Sequence, residues 1–407
     1  MTIILSDNIV SSLGFTTEEN YRKVKEGICG LQFFADRYDL PEPFMASEID
    51  DTRLEEVFAK VSADYSDFIE KSKIDKEIKK YLLIRRTGVK YTKLEKAGIV
   101  SIAEALKGTD MNPAEDETLF ILSTAKGNVF LLDDNEMNGY SYEQLYLWRS
   151  AQLISEFFGS INSPFVVSNA CISGASALIT AQRYLQSRRC ENVIIVGVDV
   201  LSKFVITGFQ SFKALSQEAC KPFDINRAGL NIGEAVATII LTERQVYDCN
   251  NGDIELTAGA MRNDANHISG PSRSGEGSYL ALRHILAGIA PEEIAFVCAH
   301  GTATPYNDEM ESIALTRAGL KDAPVYSLKG YFGHTLGAAG VLESVISTHA
   351  LKEGTILKTC GCDTPGVTYP LDIVKENRET TKRRCIKMLS GFGGCNAALL
   401  FTKLCNI

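Results

Sequence analysis

The chain has 407 residues, of which 45% are hydrophobic and 23% charged, and its formal net charge is −9. These proportions are typical of a globular protein with a well-buried core and exclude disordered and fibrous classes. The acidic balance argues against non-specific nucleic-acid binding, because a protein of that kind neutralises phosphates with Lys and Arg.

The N-terminal stretch and the cysteines give further exclusions. The apolar stretch at 3–5 is too short for a signal peptide, and no run approaches the roughly 18 apolar residues that span a bilayer. We therefore predict a cytoplasmic protein with no membrane span.

Cys360 and Cys362 are the only closely spaced pair among the 11 cysteines, and no second pair lies at zinc-like spacing. We expect reduced, buried, inert thiols and no metal site.

A basic cluster lies near the C-terminus, where Arg383 and Arg384 are followed by Lys387. A cluster of this kind on an acidic molecule can dock an acidic partner. We interpret it as an exposed surface run, with a docking patch as the alternative.

Short β-branched runs alternate with helical patterns along the chain. Continuous apolar runs of this length predict strands that are buried on both faces. We predict strands at 165–167, 193–198, 237–241, 295–298 and 397–401, and helices at 174–186 and 337–349. The alternation indicates an α/β protein built from layered sheets and helices.

Residues 50–110 differ from the rest, because they are charged, helix-prone and poor in glycine. We predict amphipathic helices at 53–63 and 67–82. We interpret the whole stretch as a helical cap or interface segment outside the sheet core.

The first candidate functional residue is Cys171, which lies where a predicted strand turns into a predicted helix. Free N–H groups and the helix dipole at such a position favour the thiolate, the nucleophilic form of cysteine. This segment alone fits a nucleophile and a buried structural cysteine equally well.

Two of the five histidines have a comparable context. His300 ends a predicted strand, His334 precedes a predicted helix, and glycines beside each permit close approach of a ligand. The other three, His267, His284 and His349, are predicted to be structural or surface residues.

A glycine-rich turn at 390–397 precedes the last predicted strand. It can supply one N–H of an oxyanion hole, with the N–H of Cys171 as the other. The alternative is that it is only a tight bend.

Together these segments resemble the β-ketoacyl-[acyl carrier protein] synthases of the thiolase superfamily. The likeness covers roughly residues 115–402. It rests on the following motifs in this order: Asn169-Ala-Cys171; Lys221-Pro-Phe-Asp224 with Arg227, Gly229, Gly233 and Glu234; His300-Gly-Thr with Asp308 and Glu311; Lys329 with Gly333-His334; and Gly391-Phe-Gly-Gly394. The usual His-Gly-Thr-Gly reads His300-Gly-Thr-Ala303 here, which adds a methyl group near tight backbone.

The resemblance implies a thiolase-like α/β fold with five layers, α-β-α-β-α, made of two similar halves. We place the halves at 1–247, with the nucleophile, and 248–407, with the histidines. It also implies a homodimer, or a heterodimer with a related subunit.

The resemblance further implies a role for each matched residue. Catalytic residues are Cys171, His300, His334 and Lys329; supporting residues are Glu343, Asp308 and Glu311; the oxyanion hole and gate are formed by Cys171 and Phe392; and substrate-binding residues are Thr302, Thr304 and Gly393. No metal is implied.

The activity implied is decarboxylative condensation of an acyl-enzyme thioester with malonyl-[acyl carrier protein], in fatty acid or polyene and polyketide synthesis. The substrates arrive on the phosphopantetheine of an acyl carrier protein, and no other cofactor is implied. The alternatives are a non-catalytic, chain-length-factor-like subunit, a thiolase-type enzyme acting on CoA esters, and a redox-sensing or metal protein. Cys171 with both histidines speaks against the first, the His334 segment against the second, and the cysteine spacing against the third.

Overall fold

The structure, a computed structural model, describes residues 1–40, 42–71, 75–133, 136–245 and 248–405. Its strands are β1 Thr2–Ser11, β2 Gln32–Phe34, β3 Phe44–Ser47, β4 Thr118–Ser123, β5 Phe165–Val167, β6 Asn192–Asp199, β7 Ile232–Gly233, β8 Ala235–Glu243, β9 Ile254–Asn263, β10 Ile294–Cys298, β11 Pro324–Tyr326, β12 Thr355–Ile356, β13 Asp372–Ile373, β14 Arg378–Glu379, β15 Arg384–Gly391 and β16 Cys395–Lys403.

The helices are α1 Thr17–Glu26, α2 Asp51–Lys71, α3 Lys76–Arg86, α4 Lys93–Leu106, α5 Leu147–Phe157, α6 Ser173–Gln186, α7 Lys203–Ser211, α8 Glu276–Ile285, α9 Pro305–Arg317, α10 Lys329–Phe332 and α11 Ala339–Glu353. All five predicted strands and both predicted helices lie in or overlap these elements. Within the described ranges, no helix is long and apolar enough to cross a membrane.

The main sheet has 11 strands in the order β13-β11-β10-β15-β16-β9-β1-β8-β6-β4-β5. It consists of two halves with the same pairing scheme. In one half, β1 pairs antiparallel with β8, β8 antiparallel with β6, and β6, β4 and β5 run parallel. In the other, β9 pairs antiparallel with β16, β16 antiparallel with β15, and β15, β10 and β11 run parallel. The predicted boundary after 247 lies at residues outside the described part of the chain.

The core shows five layers. Helices α6 and α11 pack between the two sheet halves, α4 and α5 cover the outer face of the first half, and α8 and α9 cover the outer face of the second. Strand β6 shows why its sequence is continuously apolar: Val193 and Ile195 face the central helices, whereas Ile194 and Val196 face α4 and α5. Both faces of a strand with helices on either side must be apolar.

The two central helices cross at glycines. A Cβ atom built on Gly340 of α11 would lie 2.4 Å from the backbone nitrogen of Ala175, and one built on Gly174 of α6 would lie 2.7 Å from the nitrogen of Val341. Distances under 3.0 Å do not occur for real Cβ atoms. This close crossing brings the N-terminal ends of α6 and α11, with the residues just before them, to one place.

The prediction for residues 50–110 is partly wrong. Helix α4 carries buried Leu94, Ile99 and Ile102 and packs on β1, β6 and β8, so it belongs to the core. Its central residues are apolar, but the charged segments before them dominate the composition of the whole stretch. The helix predicted at 53–63 lies within α2. The one predicted at 67–82 crosses 72–74, which lie outside the described residues, and its described parts belong to α2 and α3.

Candidate active site

Cys171 lies in the turn between β5 and α6. The hydroxyl of Ser173 donates a hydrogen bond to the carbonyl of Ala170 at 2.6 Å, and the backbone N–H of Asn169 donates to the same hydroxyl at 2.7 Å. These bonds hold the turn in place at the start of the helix. The Cys171 side chain, 8% exposed, contributes to the wall of a cavity of about 840 Å³.

Burial controls the charge of the Cys171 thiol. It raises the pKa to about 11, although the Lys329 ammonium and a hydrogen bond from the N–H of Phe392 both act to lower it. We expected the helix N-terminus to favour the thiolate, and this expectation is wrong for the resting protein. Loss of hydration penalises the charged form more than the nearby positive groups stabilise it.

The two predicted histidines meet beside this thiol. His300 follows β10 and His334 follows α10, and their ring centroids are 5.0 Å apart with the rings nearly perpendicular. Burial, followed by the charge of Lys329, lowers the pKa of both well below 6.5. Both imidazoles are therefore neutral at physiological pH and can donate a hydrogen bond without carrying a net charge.

A hydrogen bond indicates which nitrogen of His334 carries the proton. The backbone N–H of Leu336 donates to Nδ1 of His334 at 3.3 Å, which assigns the proton to Nε2. Nε2 of His334 and Nδ1 of His300 are buried and have no hydrogen-bond partner in the part of the chain that the structure describes. Because such atoms are rare in native proteins, they indicate where a substrate atom binds.

A buried carboxylate below the histidines pairs with two lysines. Nζ of Lys329 contacts one oxygen of Glu343 and Nζ of Lys387 contacts the other, and all three side chains are at most 3% exposed. Lys387 also donates to the carbonyl of Ala299 at 2.9 Å. The interpretation of Lys387 as part of an exposed basic cluster is therefore wrong; it lies on the inner face of β15, where the neighbouring residues are apolar.

Two acidic residues of α9 hold the loop that carries His300. Glu311 accepts hydrogen bonds from the backbone N–H groups of His300 and Gly301, both at 2.7 Å. Asp308, on the same helix, accepts one from the N–H of Phe223 at 2.7 Å, which ties the Lys-Pro-Phe-Asp motif to α9. Burial raises the pKa of Asp308 to about 7.

The cavity also includes most of the predicted substrate-binding residues. The hydroxyl oxygens of Thr302 and Thr304 are 2.9 Å apart and line it together with Phe392, whose ring stacks on Phe209 at 5.8 Å. Gly393 is the exception. It does not line the cavity, and its N–H donates to the carbonyl of Ile268 at 2.7 Å, so it is not free to bind substrate.

The glycine-rich turn after β15 packs against the nucleophile. A Cβ atom built on Gly391 would lie 3.2 Å from the backbone nitrogen of Cys171, so the two segments are in contact. The backbone N–H of Phe392, the next residue along this turn, acts to lower the pKa of the Cys171 thiol. The N–H groups of Cys171 and Phe392 thus lie beside the atom at which an acyl oxyanion would form.

Non-glycine residues with left-handed backbone occur beside each of the three central side chains. Ala170 precedes Cys171 with φ 46°, Ala303 follows the His300 loop with φ 61°, and Leu336 follows His334 with φ 48°. Each costs on the order of 1–3 kcal/mol and persists because the surrounding structure imposes it, as is typical of functional sites. Ala303 is the position where the family usually has glycine, so the added methyl group stands on strained backbone.

Two family models match the chain, described as the N-terminal domain of beta-ketoacyl synthase, over residues 9–246, and its C-terminal domain, over residues 254–363. The chain belongs to the beta-ketoacyl synthase family. The family predicted from the motifs is thereby confirmed.

Several curated relatives of this chain have related names. A mitochondrial 3-oxoacyl-[acyl-carrier-protein] synthase from Arabidopsis thaliana is 26% identical over 438 positions, which cover 99% of this chain and 93% of the plant protein. The 3-oxoacyl-[acyl-carrier-protein] synthase 2 of Coxiella burnetii is 32% identical over 253 residues, 58% of this chain. The chain spans less than two thirds of the Coxiella protein and of a Schizosaccharomyces pombe relative, 61% and 64% of their lengths.

Solved structures with the same fold are also ketosynthases. The ketosynthase ApeO of Xenorhabdus doucetiae, solved with its chain length factor ApeC, superposes with a TM-score of 0.80 at 22% identity, over 99% of this chain and 98% of that one. A beta-ketoacyl synthase from Burkholderia phymatum gives 0.79 at 22% identity, over 99% of both chains. These neighbours confirm the predicted thiolase-like fold.

Several residues of the candidate active site were not identified from the sequence. His267, predicted to be structural or a surface residue, lines the cavity together with Asp264 and Arg273, which belong to the loop after β9. Asp199, buried at the end of β6, accepts backbone hydrogen bonds from Ala125, Lys126 and Gly337. Asp199 could have been identified from the sequence, because it is an acidic residue directly after a fully apolar run. No comparable pattern marks Asp264, His267 and Arg273.

Among the described residues, no group of three or more His, Cys, Asp or Glu side chains is arranged to hold a metal ion.

Proposed function

We propose that the protein is an acyltransferase that condenses an acyl group on Cys171 with malonyl-[acyl carrier protein], releasing CO₂ and forming a 3-oxoacyl-[acyl carrier protein]. The observation that carries this proposal is the convergence of one thiol and two neutral imidazoles on a single cavity. The names of the Arabidopsis and Coxiella relatives support it.

In the first step, the Cys171 sulfur attacks the thioester carbonyl of an acyl carrier protein. A carbon–sulfur bond to Cys171 forms, the bond to the carrier sulfur breaks, and the thiol proton of Cys171 ends on the carrier thiol. The proton must leave during the attack, because a pKa of about 11 keeps the resting thiol protonated. The N–H groups of Cys171 and Phe392 stabilise the transient oxyanion.

In the second step, the malonyl thioester loses CO₂. The electrons of the breaking carbon–carbon bond move onto the thioester as an enolate, whose oxygen accepts hydrogen bonds from His300 and His334. The enolate carbon then attacks the Cys171 thioester, forming the new carbon–carbon bond and expelling the Cys171 thiolate, which takes a proton from solvent water. Neutral donors held by the fold stabilise this charge without reorganising.

The supporting residues act through the histidines. The positive charge of Lys329 lowers the pKa of both imidazoles, and Glu343 holds Lys329 in position. Glu311 fixes the backbone of His300, and Asp308, on the same helix, fixes the backbone of Phe223. We therefore assign positioning roles to this group.

Substrate delivery follows from the cavity. Thr302 and Thr304 present hydroxyls to a phosphopantetheine arm, and Phe392 stands as a gate between the cysteine and the aromatic side chains Phe209 and Phe212. Because the substrates are covalently carried by the acyl carrier protein, we propose no other cofactor.

We propose a homodimer in the cytoplasm, with a heterodimer as the alternative assembly. Two structural neighbours support carrier-protein and subunit contacts: one is a ketosynthase in complex with its chain length factor, and the other is a type II ketosynthase in complex with an acyl-carrier protein. These complexes also keep open a chain-length-factor-like role, but the complete cysteine and histidine set favours the catalytic one.

Mass spectrometry of the intact protein tests the proposal. We expect the mass to increase by one acyl group after incubation with acyl carrier proteins of different chain length, and the increase to disappear in Cys171→Ala. The acyl group that loads fastest identifies the substrate. A protein that is never acylated by any carrier or CoA thioester would contradict the proposed function, and loading from CoA esters alone would favour the thiolase-type alternative.

A further inference from the structure

Two cysteines outside the active site meet at the backbone of α10, the short helix that begins with Lys329. Cys29 follows α1 and is exposed, and its sulfur lies 3.0 Å from the carbonyl oxygen of Gly330. Cys360 follows β12 and packs on the same glycine: a Cβ atom built on Gly330 would lie 3.0 Å from the Cβ of Cys360. The two thiol groups are close enough to influence each other's ionisation. The pair thus connects segments from opposite ends of the chain.

Cys29 has the properties of an attacking thiol. The neighbouring Cys360 thiol is the largest influence on it, and with a hydrogen bond from the N–H of Leu31 at 3.4 Å it lowers the pKa of Cys29 to about 7, against the effect of burial. A thiol with a pKa near the ambient pH attacks disulfides fastest. Cys29 is also exposed, so that a small reagent can reach it. The expectation that the cysteines outside the active site are buried is therefore wrong for this residue.

We propose that Cys29 and Cys360 are an oxidation site that forms an intramolecular disulfide with a low-molecular-weight disulfide such as oxidised glutathione. The Cys29 thiolate attacks one sulfur of the reagent, so that a mixed disulfide forms and one thiol is released. The Cys360 sulfur then attacks Cys29, displacing the second thiol. Two thiols of the protein are oxidised, one disulfide of the reagent is reduced, and the two protons remain on the released thiols.

The bond would act on the segment that carries Lys329. The Cys360 carbonyl oxygen would lie 2.3 Å from a Cβ built on Gly330, so the backbone of Cys360 packs directly against α10. We expect a movement of Cys360 towards Cys29 to displace this helix. The sulfur of buried Cys220 also contacts the carbonyl of Lys329, at 3.3 Å, from another side. We therefore expect oxidation to shift Lys329 relative to Glu343 and slow the reaction. This effect on rate rests on the proposed function, whereas the disulfide does not.

Peptide mapping tests the disulfide. The reduced protein is incubated with oxidised glutathione, its remaining thiols are alkylated, and it is digested with trypsin. Cys29 falls in the peptide 26–37, and Cys360 shares the peptide 359–375 with Cys362. We expect the two peptides to be linked in the wild type and in Cys362→Ser, and unlinked in Cys29→Ser and in Cys360→Ser.

Three outcomes overturn the proposal: both thiols alkylated, Cys29 carrying only glutathione, or a link that persists in Cys360→Ser. A rate measurement then tests the coupling. We expect oxidised wild type to lose condensing activity and dithiothreitol to restore it, whereas Cys29→Ser, which keeps Cys171, retains its rate under the same treatment. A linked protein with an unchanged rate overturns the coupling to Lys329. A reduced protein without any activity contradicts only the proposed function.

Discussion

Lys387 on β15 forms a buried ion pair with Glu343 on α11, and Lys329 reaches the same carboxylate from α10. One carboxylate thus serves two ammonium groups. Both lysines act to lower the pKa of His300 and His334, so the arrangement favours neutral histidines. Because Glu343 pairs with both lysines, we expect replacement of Glu343 and replacement of Lys387 to affect stability differently.

The carboxylate should matter more for stability than the second lysine. Replacing Glu343 by Gln leaves two buried ammonium groups without a counter-charge, and we expect the free energy of unfolding to fall by about 3–5 kcal/mol. Lys387→Met leaves the pair of Lys329 and Glu343 intact and should cost less. Urea unfolding measures both. If both variants lose the same free energy of unfolding, Lys387 is as important for stability as Glu343, and this expectation is refuted.

Replacing the nucleophile Cys171 should abolish condensation without abolishing malonyl decarboxylation. In Cys171→Ala we expect condensation to be abolished, because no thioester can form, while malonyl decarboxylation continues at a reduced rate on the remaining histidines. Release of CO₂ and formation of the 3-oxoacyl product are measured with acyl- and malonyl-carrier proteins. Cys405→Ala, at an exposed cysteine outside the cavity lining, is the control and should behave as wild type. Normal condensation by Cys171→Ala would refute the assignment.

Each histidine should contribute as an oxyanion donor does. We expect His300→Ala and His334→Ala to lower the decarboxylation rate by roughly two to three orders of magnitude. His284→Ala is the matched control, because His284 is exposed and lies outside the cavity lining. A rate in either active-site variant equal to that of the control would remove that residue from the mechanism.

The buried carboxyl of Asp308 should make stability depend on pH. Its pKa is about 7 in the folded protein, against 3.8 for an ordinary aspartate. Between these values the folded protein keeps a proton that the unfolded chain has lost, so stability falls as the pH rises, by about 1.4 kcal/mol per unit. Asp308→Asn lacks this dependence.

The measurement is urea unfolding of wild type and Asp308→Asn at several pH values. We expect the variant to gain stability relative to wild type from about pH 5 to about pH 7 and the difference to be constant above that range. A difference that does not change with pH would mean that Asp308 is ionised throughout.

The crossing of the central helices should not tolerate a methyl group. In Gly340→Ala the new Cβ would meet the nitrogen of Ala175 at 2.4 Å, and we expect a loss of about 1–3 kcal/mol in the free energy of unfolding. Gly208→Ala is the matched control within α7, since no atom of the described residues lies within 4 Å of its Cβ position. There we expect a gain of about 0.5–1 kcal/mol, because alanine favours the helix. The reverse order would show that α6 and α11 can separate.

The sequence was informative wherever local pattern and motif order agreed. Strands such as β6 are apolar on both faces, so their existence follows from composition alone. Helix α4 was misjudged, because its apolar residues are part of a charged stretch and only packing on the sheet shows which of them are buried.

The order and spacing of the motifs around Cys171, His300 and His334 determined the family, since each motif encodes a local turn that needs its own glycines and polar residues. Tertiary structure alone decided the rest. The charge of Cys171 depends on how much water surrounds it, and the role of Lys387 on which face of β15 meets α11. Burial and long-range electrostatics arise from segments far apart in the chain, so no local pattern contains them.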